Sequence, residues 1–161
     1  MSATRRELAQ ILASQDRFLV VSHGNPDGDA IGATTAMGWL LKALGKHFHI
    51  YNQSGLPRAF DWVSLPSPLL SSLRGDEFDW IISVDCGDLA RVGSEVAAVW
   101  PGKKTINIDH HLGNPEFGTY NWVRTSYSST GEMIARLADD LDVPLAGPLG
   151  EAVYMAIVTD T

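Results

Sequence analysis

The sequence predicts a single α/β domain built on a doubly wound, mostly parallel sheet with helices on both faces. Two observations predict it. Short apolar runs of strand length alternate with stretches of helical periodicity, and each run stops abruptly at a polar residue or loop, as buried parallel strands joined by crossovers do. The composition agrees. A chain of 161 residues, 45% hydrophobic and 19% charged, has the usual length of one domain and can bury a core, which excludes disorder, collagen and coiled coil.

The elements follow in order along residues 1–161. Thr4-Arg5-Arg6-Glu7 has capping-box spacing ahead of Leu8, Ile11 and Leu12, so a short amphipathic helix opens the chain. Phe18-Leu19-Val20-Val21 reads as a buried strand that ends at the polar loop Ser22-His23-Gly24-Asn25-Pro26. Residues 30–44 form a helix with Ile31, Leu40, Leu41 and Leu44 on its buried side, stopped by Gly45 where a left-handed cap is wanted. Phe48-His49-Ile50-Tyr51 is a second strand, and the Pro- and Ser-rich stretch 52–72 carries no clear element. Residues 80–84 form a strand ending at Asp85, followed by one helix over 89–99 with Asp88 as its cap, and residues 105–108 form another strand ending at Asp109. Residues 120–123 read as an edge strand, Ser129-Thr130-Gly131-Glu132 as a capping box opening a helix to about Leu141, and Pro148 as the start of a last helix through Val158. No repeat and no internal linker interrupts the series.

Charge and composition narrow the function. Twelve basic against nineteen acidic residues give a net charge of −7 and a pI near 5.0, which disfavours a module gripping duplex DNA and suits a site that collects cations. The single Cys86 excludes a disulfide framework and fits a reducing compartment, where a small buried hydrophobe is its expected role. No stretch reaches the roughly 18 apolar residues of a membrane span, and residues 1–16 lack a signal-peptide core, so a cytoplasmic location without membrane contact is expected.

The densest polar cluster is His23, Asp27 and Asp29, spaced H-x3-D-x-D in the loop leaving the first strand. One imidazole and two carboxylates in a turn can hold a divalent cation or two; they can equally be a turn whose Asp caps the next helix. Asp85 and the run Asp109-His110-His111 end two further strands and therefore emerge on the same rim, and Asp160 adds a fourth segment near the chain end. Singly each has an ordinary explanation. Jointly they lie where a doubly wound fold places its ligands, and a carboxylate-rich, thiolate-free set suits manganese, cobalt or magnesium better than structural zinc.

Four segments carry a family resemblance: Val20-Val21-Ser22-His23-Gly24-Asn25-Pro26-Asp27-Gly28-Asp29-Ala30, Val84-Asp85, Asp109-His110-His111 and Ile157-Val158-Thr159-Asp160-Thr161. In order and spacing they resemble the DHH phosphoesterase superfamily, RecJ-like in its N-terminal catalytic domain. The leading helix and the Asp-Gly-Asp-Ala-Ile-Gly wording look most like its nano-RNase and 3′-phosphoadenosine 5′-phosphate phosphatase group. The resemblance implies two divalent cations, manganese by preference with magnesium or cobalt as alternatives. One is implied on His23, Asp27 and Asp85, the other on Asp29, Asp85, His110 and Asp160. It implies His111 as the catalytic or substrate-contacting imidazole and Asp109 as a supporting catalytic residue that orients a ligand or the fold around it.

It further implies hydrolysis of short single-stranded RNA or nucleotides. A manganese-dependent inorganic pyrophosphatase or exopolyphosphatase is the alternative, and a non-catalytic nucleotide-binding module stands behind both. Relatives carry a smaller C-terminal substrate-binding domain, and residues 1–161 end just after the fourth segment, so that domain is expected to lie outside this chain. Self-association into a homodimer stays open. Arg124 is an isolated cation that touches either substrate or solvent, and Ser128, Ser129 and Thr130 offer either a phosphate seat at a helix N-terminus or only a cap. His47 and His49 read as ordinary histidines.

Overall fold

The computed structural model describes residues 1–75 and 77–161. Six strands form one sheet: β1 (Phe18–Val21), β2 (Phe48–Tyr51), β3 (Leu69–Leu70), β4 (Trp80–Val84), β5 (Lys104–Asp109) and β6 (Tyr120–Val123). Their spatial order is β3-β2-β1-β4-β5-β6 and every pairing is parallel. The strand order reverses between β1 and β4, and a doubly wound sheet opens its ligand crevice at the carboxyl ends of the strands flanking such a switch.

The two faces are covered unequally. Helices α1 (Arg5–Ser14), α2 (Gly28–Ala43), α4 (Thr130–Asp140) and α5 (Gly147–Asp160) belong to one apolar layer over Phe18, Val20, Ile82, Val84, Ile106 and Ile108. Helix α2 is buried on nearly every side, packed between the sheet and α5, and its sequence is accordingly apolar all round. On the opposite face a smaller cluster of Leu19, Val21, Ile81 and Cys86 is closed by the six-residue α3 (Ser94–Val99), Phe78 and Trp100. There β5 presents Thr105, Asn107 and Asp109, all buried, to the loop that returns toward β6. That loop lies so flat on β5 that a Cβ on Gly118 would stand 3.0 Å from the Asn107 amide nitrogen.

Local chemistry explains most boundaries. Thr4 and Glu7 make both halves of the capping box of α1. Gly45, at φ 72°, ends α2 with paired bonds from its own N–H to the Lys42 carbonyl and from the Lys46 N–H to the Leu41 carbonyl. Other expectations need correcting. The single helix over 89–99 is broken by Gly93 at φ 103° into a 3-10 turn at Leu89–Val92, capped by Asp88, and the separate α3. The stretch 52–72 contains β3, too short at two residues to show a period, and a 3-10 turn at Arg58–Phe60. At α4 only half of the capping box forms: Ser129 Oγ accepts from the Glu132 N–H, while the Glu132 carboxylate accepts from Ser128.

Candidate metal centre

The loop after β1 is shaped by its backbone and by β2. Asn25 sits at φ 51°, and the buried Asn52 at the end of β2 donates to Ser22 Oγ (2.9 Å) and to the His23 carbonyl (2.8 Å). Asp27 then caps α2 by accepting from the Ala30 N–H at 3.0 Å. Both readings of the H-x3-D-x-D cluster therefore apply at once: Asp27 Oδ1 caps the helix and also faces His23 Nε2. Asp29, in the first turn of α2, is 1% exposed, and its two oxygens accept from the N–H groups of Thr130 (2.9 Å) and Gly131 (3.0 Å). The N-terminus of α4 is thus filled by this carboxylate, and Thr130 and Gly131 form no open phosphate seat.

Asp85 occupies the centre. It adopts φ 53°, a conformation uncommon outside glycine, while its N–H still donates to the Ile108 carbonyl at 3.0 Å. One carboxylate oxygen, Oδ2, faces His23 Nε2 at 3.7 Å. The other, Oδ1, faces His110 Nε2 at 3.7 Å and accepts from Thr130 Oγ1 at 3.2 Å. His23 is flanked on its other side by Asp27, also at 3.7 Å. His110 Nε2 lies 3.5 Å from Asp29 and 3.1 Å from Asp160. The triads His23–Asp27–Asp85 and Asp29–His110–Asp160 each bring their ligand atoms within 4.8 Å of one another. Asp85 stands between the two.

Asp160 reaches this centre because α5 packs on α2 without a gap. A Cβ on Gly28 would stand 2.5 Å from Thr159 Cβ, and one on Gly32 2.8 Å from Ala156 Cβ. Only hydrogen at these two positions allows the end of α5 to meet the start of α2.

The imidazoles decide what the cluster can hold. His23 Nδ1 donates to the Gly24 carbonyl (2.8 Å) and His110 Nδ1 to the Tyr127 carbonyl (3.3 Å), since a carbonyl can only accept. In its neutral form each ring therefore turns the lone pair of Nε2 toward carboxylates, the orientation that outer-sphere hydrogen bonds give metal-ligating histidines. His110 Nε2 is buried and makes no hydrogen bond despite its carboxylate neighbours. Lone pairs facing lone pairs require a proton or a cation between them. Among the ion pairs of the described residues none joins Asp27, Asp29, Asp85, Asp109 or Asp160 to Lys or Arg. Asp27, with Asp85 behind it, pushes the His23 imidazole up to about 10. Its partner Asp27 is held down at about 2 by the same imidazole. Burial, reinforced by Asp85, pushes Asp29 upward against its two amide donors. Burial also raises Asp160. These shifts describe an excess of desolvated negative charge, and the donor set fits divalent cations with mixed oxygen and nitrogen ligands.

His111 differs from the other two. Its Nδ1 donates to Asp109 Oδ1 at 2.7 Å, so Nε2 is the atom free at the half-exposed rim. Burial pulls its pKa down, but the Asp109 hydrogen bond and charge, with Asp85 and Asp160, outweigh it and leave the ring raised. Asp109 is fully buried, accepts from the His110 N–H as well, and lies behind His111 rather than in the cluster. Arg124 lies at the end of β6, exposed, and its guanidinium donates to the Val123 carbonyl; the structure does not bring it into the cluster. His47 pairs with Asp16 and His49 with Glu77, away from the centre. Thr130, Asn114 and Gly28 are parts of the centre that sequence reasoning missed as such, and for Gly28 the signal was its place between Asp27 and Asp29.

The family model described as "DHH family, N-terminal domain" matches residues 17–157. The chain belongs to the DHH family. Among its relatives, the bifunctional oligoribonuclease and PAP phosphatase NrnA of Thermus thermophilus is 31% identical, the match covering 97% of this DHH chain and 47% of the relative. The crystal structure of an exopolyphosphatase-related protein from Bacteroides fragilis superposes with a TM-score of 0.83 at 25% identity, over 98% of this chain and 49% of that one. Exonuclease RecJ bound to manganese shares the fold at a TM-score of 0.57 and 17% identity, over 99% of this chain and 43% of RecJ. The DHH chain spans about half the length of the curated relatives it matches. Among the described residues no helix is long and apolar enough to cross a membrane.

Proposed function

We propose that this chain carries the catalytic centre of a metal-dependent phosphoesterase that hydrolyses short oligoribonucleotides or nucleotides such as 3′-phosphoadenosine 5′-phosphate. His23, Asp27 and Asp85 would hold one divalent cation and Asp29, Asp85, His110 and Asp160 a second, manganese being favoured. Bound there, such cations supply Lewis-acid activation of water and neutralise charge on a phosphoryl group. The residues of the chain do the rest. Asp85 links the two ligand sets through its separate oxygens; Thr130 and the α4 amides fix Asp85 and Asp29; His23 and His110 are locked with Nε2 inward. His111, held by Asp109, presents Nε2 at the rim, where it can donate a hydrogen bond or a proton to a phosphoryl or leaving oxygen.

The observation that carries this reading is the buried, unpartnered His110 Nε2 among three carboxylates, with Asp85 shared by His23 on its far side. The similarity to an oligoribonuclease and PAP phosphatase supports the substrate class. An open rim leaves a phosphate poorly fixed for attack, so we expect this chain alone to bind metal yet turn over more slowly than the same chain extended to the length of its relatives. The test is metal content after chelator-free purification, followed by a manganese-supplemented panel of diribonucleotides, 3′-phosphoadenosine 5′-phosphate and pyrophosphate with both proteins. Turnover of pyrophosphate alone overturns the substrate class, and bound metal without turnover of any of them overturns catalysis.

A further inference from the structure

Asp109 is 0% exposed, and its two oxygens are served differently. Oδ1 accepts from the His110 N–H (2.9 Å) and from His111 Nδ1 (2.7 Å), whereas Oδ2 accepts from the side-chain amide of Asn114 (2.8 Å). We infer that Asn114 is a positioning residue which, through Asp109, sets the tautomer and direction of His111. The consequence for catalysis rests on the phosphoesterase reading; the way the ring is held does not.

The amide of Asn114 is fixed at both ends. Its Oδ1 accepts from Asn107 Nδ2 (2.9 Å) and from the Glu116 N–H (2.8 Å). Its Nδ2 faces only acceptors: Asp109 Oδ2, the Cys86 carbonyl (3.2 Å) and, more distantly, Asn107 Oδ1 (3.5 Å). A half-turn of the amide would set oxygen against oxygen at Asp109 and Cys86 and nitrogen against nitrogen at Asn107, so one orientation alone satisfies the set. Cys86 follows Asp85, and Asp109 ends the neighbouring strand. Asn114 therefore ties the two strand ends together below the rim. Without its bond, Asp109 Oδ2 would be a buried acceptor left unmet, and a carboxylate free to turn toward another donor releases Oδ1 from His111. The half-exposed His111 makes no other hydrogen bond among the described residues that would keep the proton on Nδ1. Its Nε2 direction then rests on Asp109, as a base is oriented by a buried carboxylate.

Two substitutions separate this from a general structural role. Asn114→Asp is nearly isosteric but sets an acceptor against Asp109; Asn114→Ala removes the amide, and reads the same ring should the first variant fail to fold. In the magnesium-loaded chain at alkaline pH, nitrogen-15 NMR of the imidazoles is expected to show His111 losing its pure Nδ1–H form in both variants, while His23 and His110 keep theirs. In the catalytically competent protein kcat is expected to fall about 10–100-fold with KM changed less than about threefold, and adding Asp109→Asn to Asn114→Ala to cost little more than either alone. An unchanged His111 tautomer, equal disturbance of all three histidines, or additive losses in the double variant would overturn the role. The tautomer is read without turnover, so it stands or falls separately from the proposed activity.

Discussion

The two faces of the sheet do different work. On the helical face Ile82, Ile106 and Ile108 meet α2, α4 and α5, and those helices deliver Asp29 and Asp160 to the rim. On the other face a short helix and loops cover Leu19, Val21 and Ile81, and the buried surface of β5 is a polar ladder of Thr105, Asn107 and Asp109 leading to His111. Ser83 Oγ is buried on this second face without a hydrogen bond. A close-packed apolar layer thus places the carboxylates of the proposed cation site, and a hydrogen-bonded layer holds the His111 imidazole.

Asp85 belongs to both halves, so removing its charge should have the largest effect. Asp85→Asn keeps the shape but supplies an amide to one ligand set or the other. We expect loss of high-affinity binding at both cation positions and a fall in turnover beyond the about 10–100-fold typical of outer-sphere changes. Metal stoichiometry by elemental analysis and manganese titration calorimetry check it. Retention of two tightly bound ions would break the division of labour between the faces.

Core truncation compares the faces directly. Ile82 and Ile81 are adjacent, both 0% exposed, and point to opposite layers. Ile82→Ala faces a rigid helical packing and should cost about 4 kcal/mol; Ile81→Ala faces loops that can settle into the gap and should cost about 2–3 kcal/mol. Urea unfolding of the metal-free chain measures both, and a larger loss for Ile81 would reverse the ranking of the faces.

Much of the helical face was legible in the sequence and much of the other was not, for a physical reason. Apolar periodicity and capping chemistry report a face that buries helices, so α1, α2, α4 and α5 are visible at Thr4, Gly45, Ser129 and Pro148. Polar strand residues such as Thr105, Asn107 and Asn121 look the same in sequence whether they meet water or one another, and Asn114 in a loop carries no period at all. The residues of the proposed cation site are legible as acids and imidazoles at the ends of strands and helices. The α4 amides on Asp29, the Thr130 hydroxyl on Asp85 and the Asn114 brace are not, because they join segments far apart in the chain.

Gly28 tests the rigid placement itself. Gly28→Ala puts a carbon where Thr159 stands 2.5 Å away, so α5 must shift and carry Asp160 from His110. Affinity at the Asp29–His110–Asp160 position should weaken about 10-fold while the His23–Asp27–Asp85 position is less changed, since α5, the helix that shifts, supplies none of its ligands. Two-step manganese titration resolves the two.

Acidity should bear on the opposite position. In the metal-free chain His23 is raised from 6.5 to about 10, so its ion pairs with Asp27 and Asp85 stabilise the fold fully below 6.5 and progressively less as pH rises through about 10. A cation there must expel that proton, so apparent affinity should rise by up to about tenfold per pH unit from neutral toward 10. Calorimetry at neutral pH in buffers of different ionisation enthalpy should register close to one proton released per ion at this position, and His23→Gln should abolish the release. Binding without proton release in the unsubstituted chain would mean that His23 is neutral there.

The smallest expected effect concerns how α1 joins the helical face. Arg5 Nε meets Asp140 Oδ2 at 2.6 Å and its Nη2 meets Oδ1 at 3.1 Å, a two-pronged bond between the start of α1 and the end of α4. The side chains are 40% and 27% exposed, so water and salt screen the pair, and the paired geometry lifts it only to the upper part of the range for exposed ion pairs. Arg5→Ala should cost about 0.5–1 kcal/mol in dilute salt and less at about 1 M salt, where the screening length falls to about 3 Å. The double change with Asp140→Ala isolates the pair itself, because Leu8 and Leu12 keep α1 on its apolar seat in every variant. Metal affinity should be unaffected, since α1 supplies nothing to the rim. A loss well above 1 kcal/mol, or one insensitive to salt, would show that the ion pair holds α1 in place and that apolar packing contributes less to this face than the burial of Leu8 and Leu12 implies.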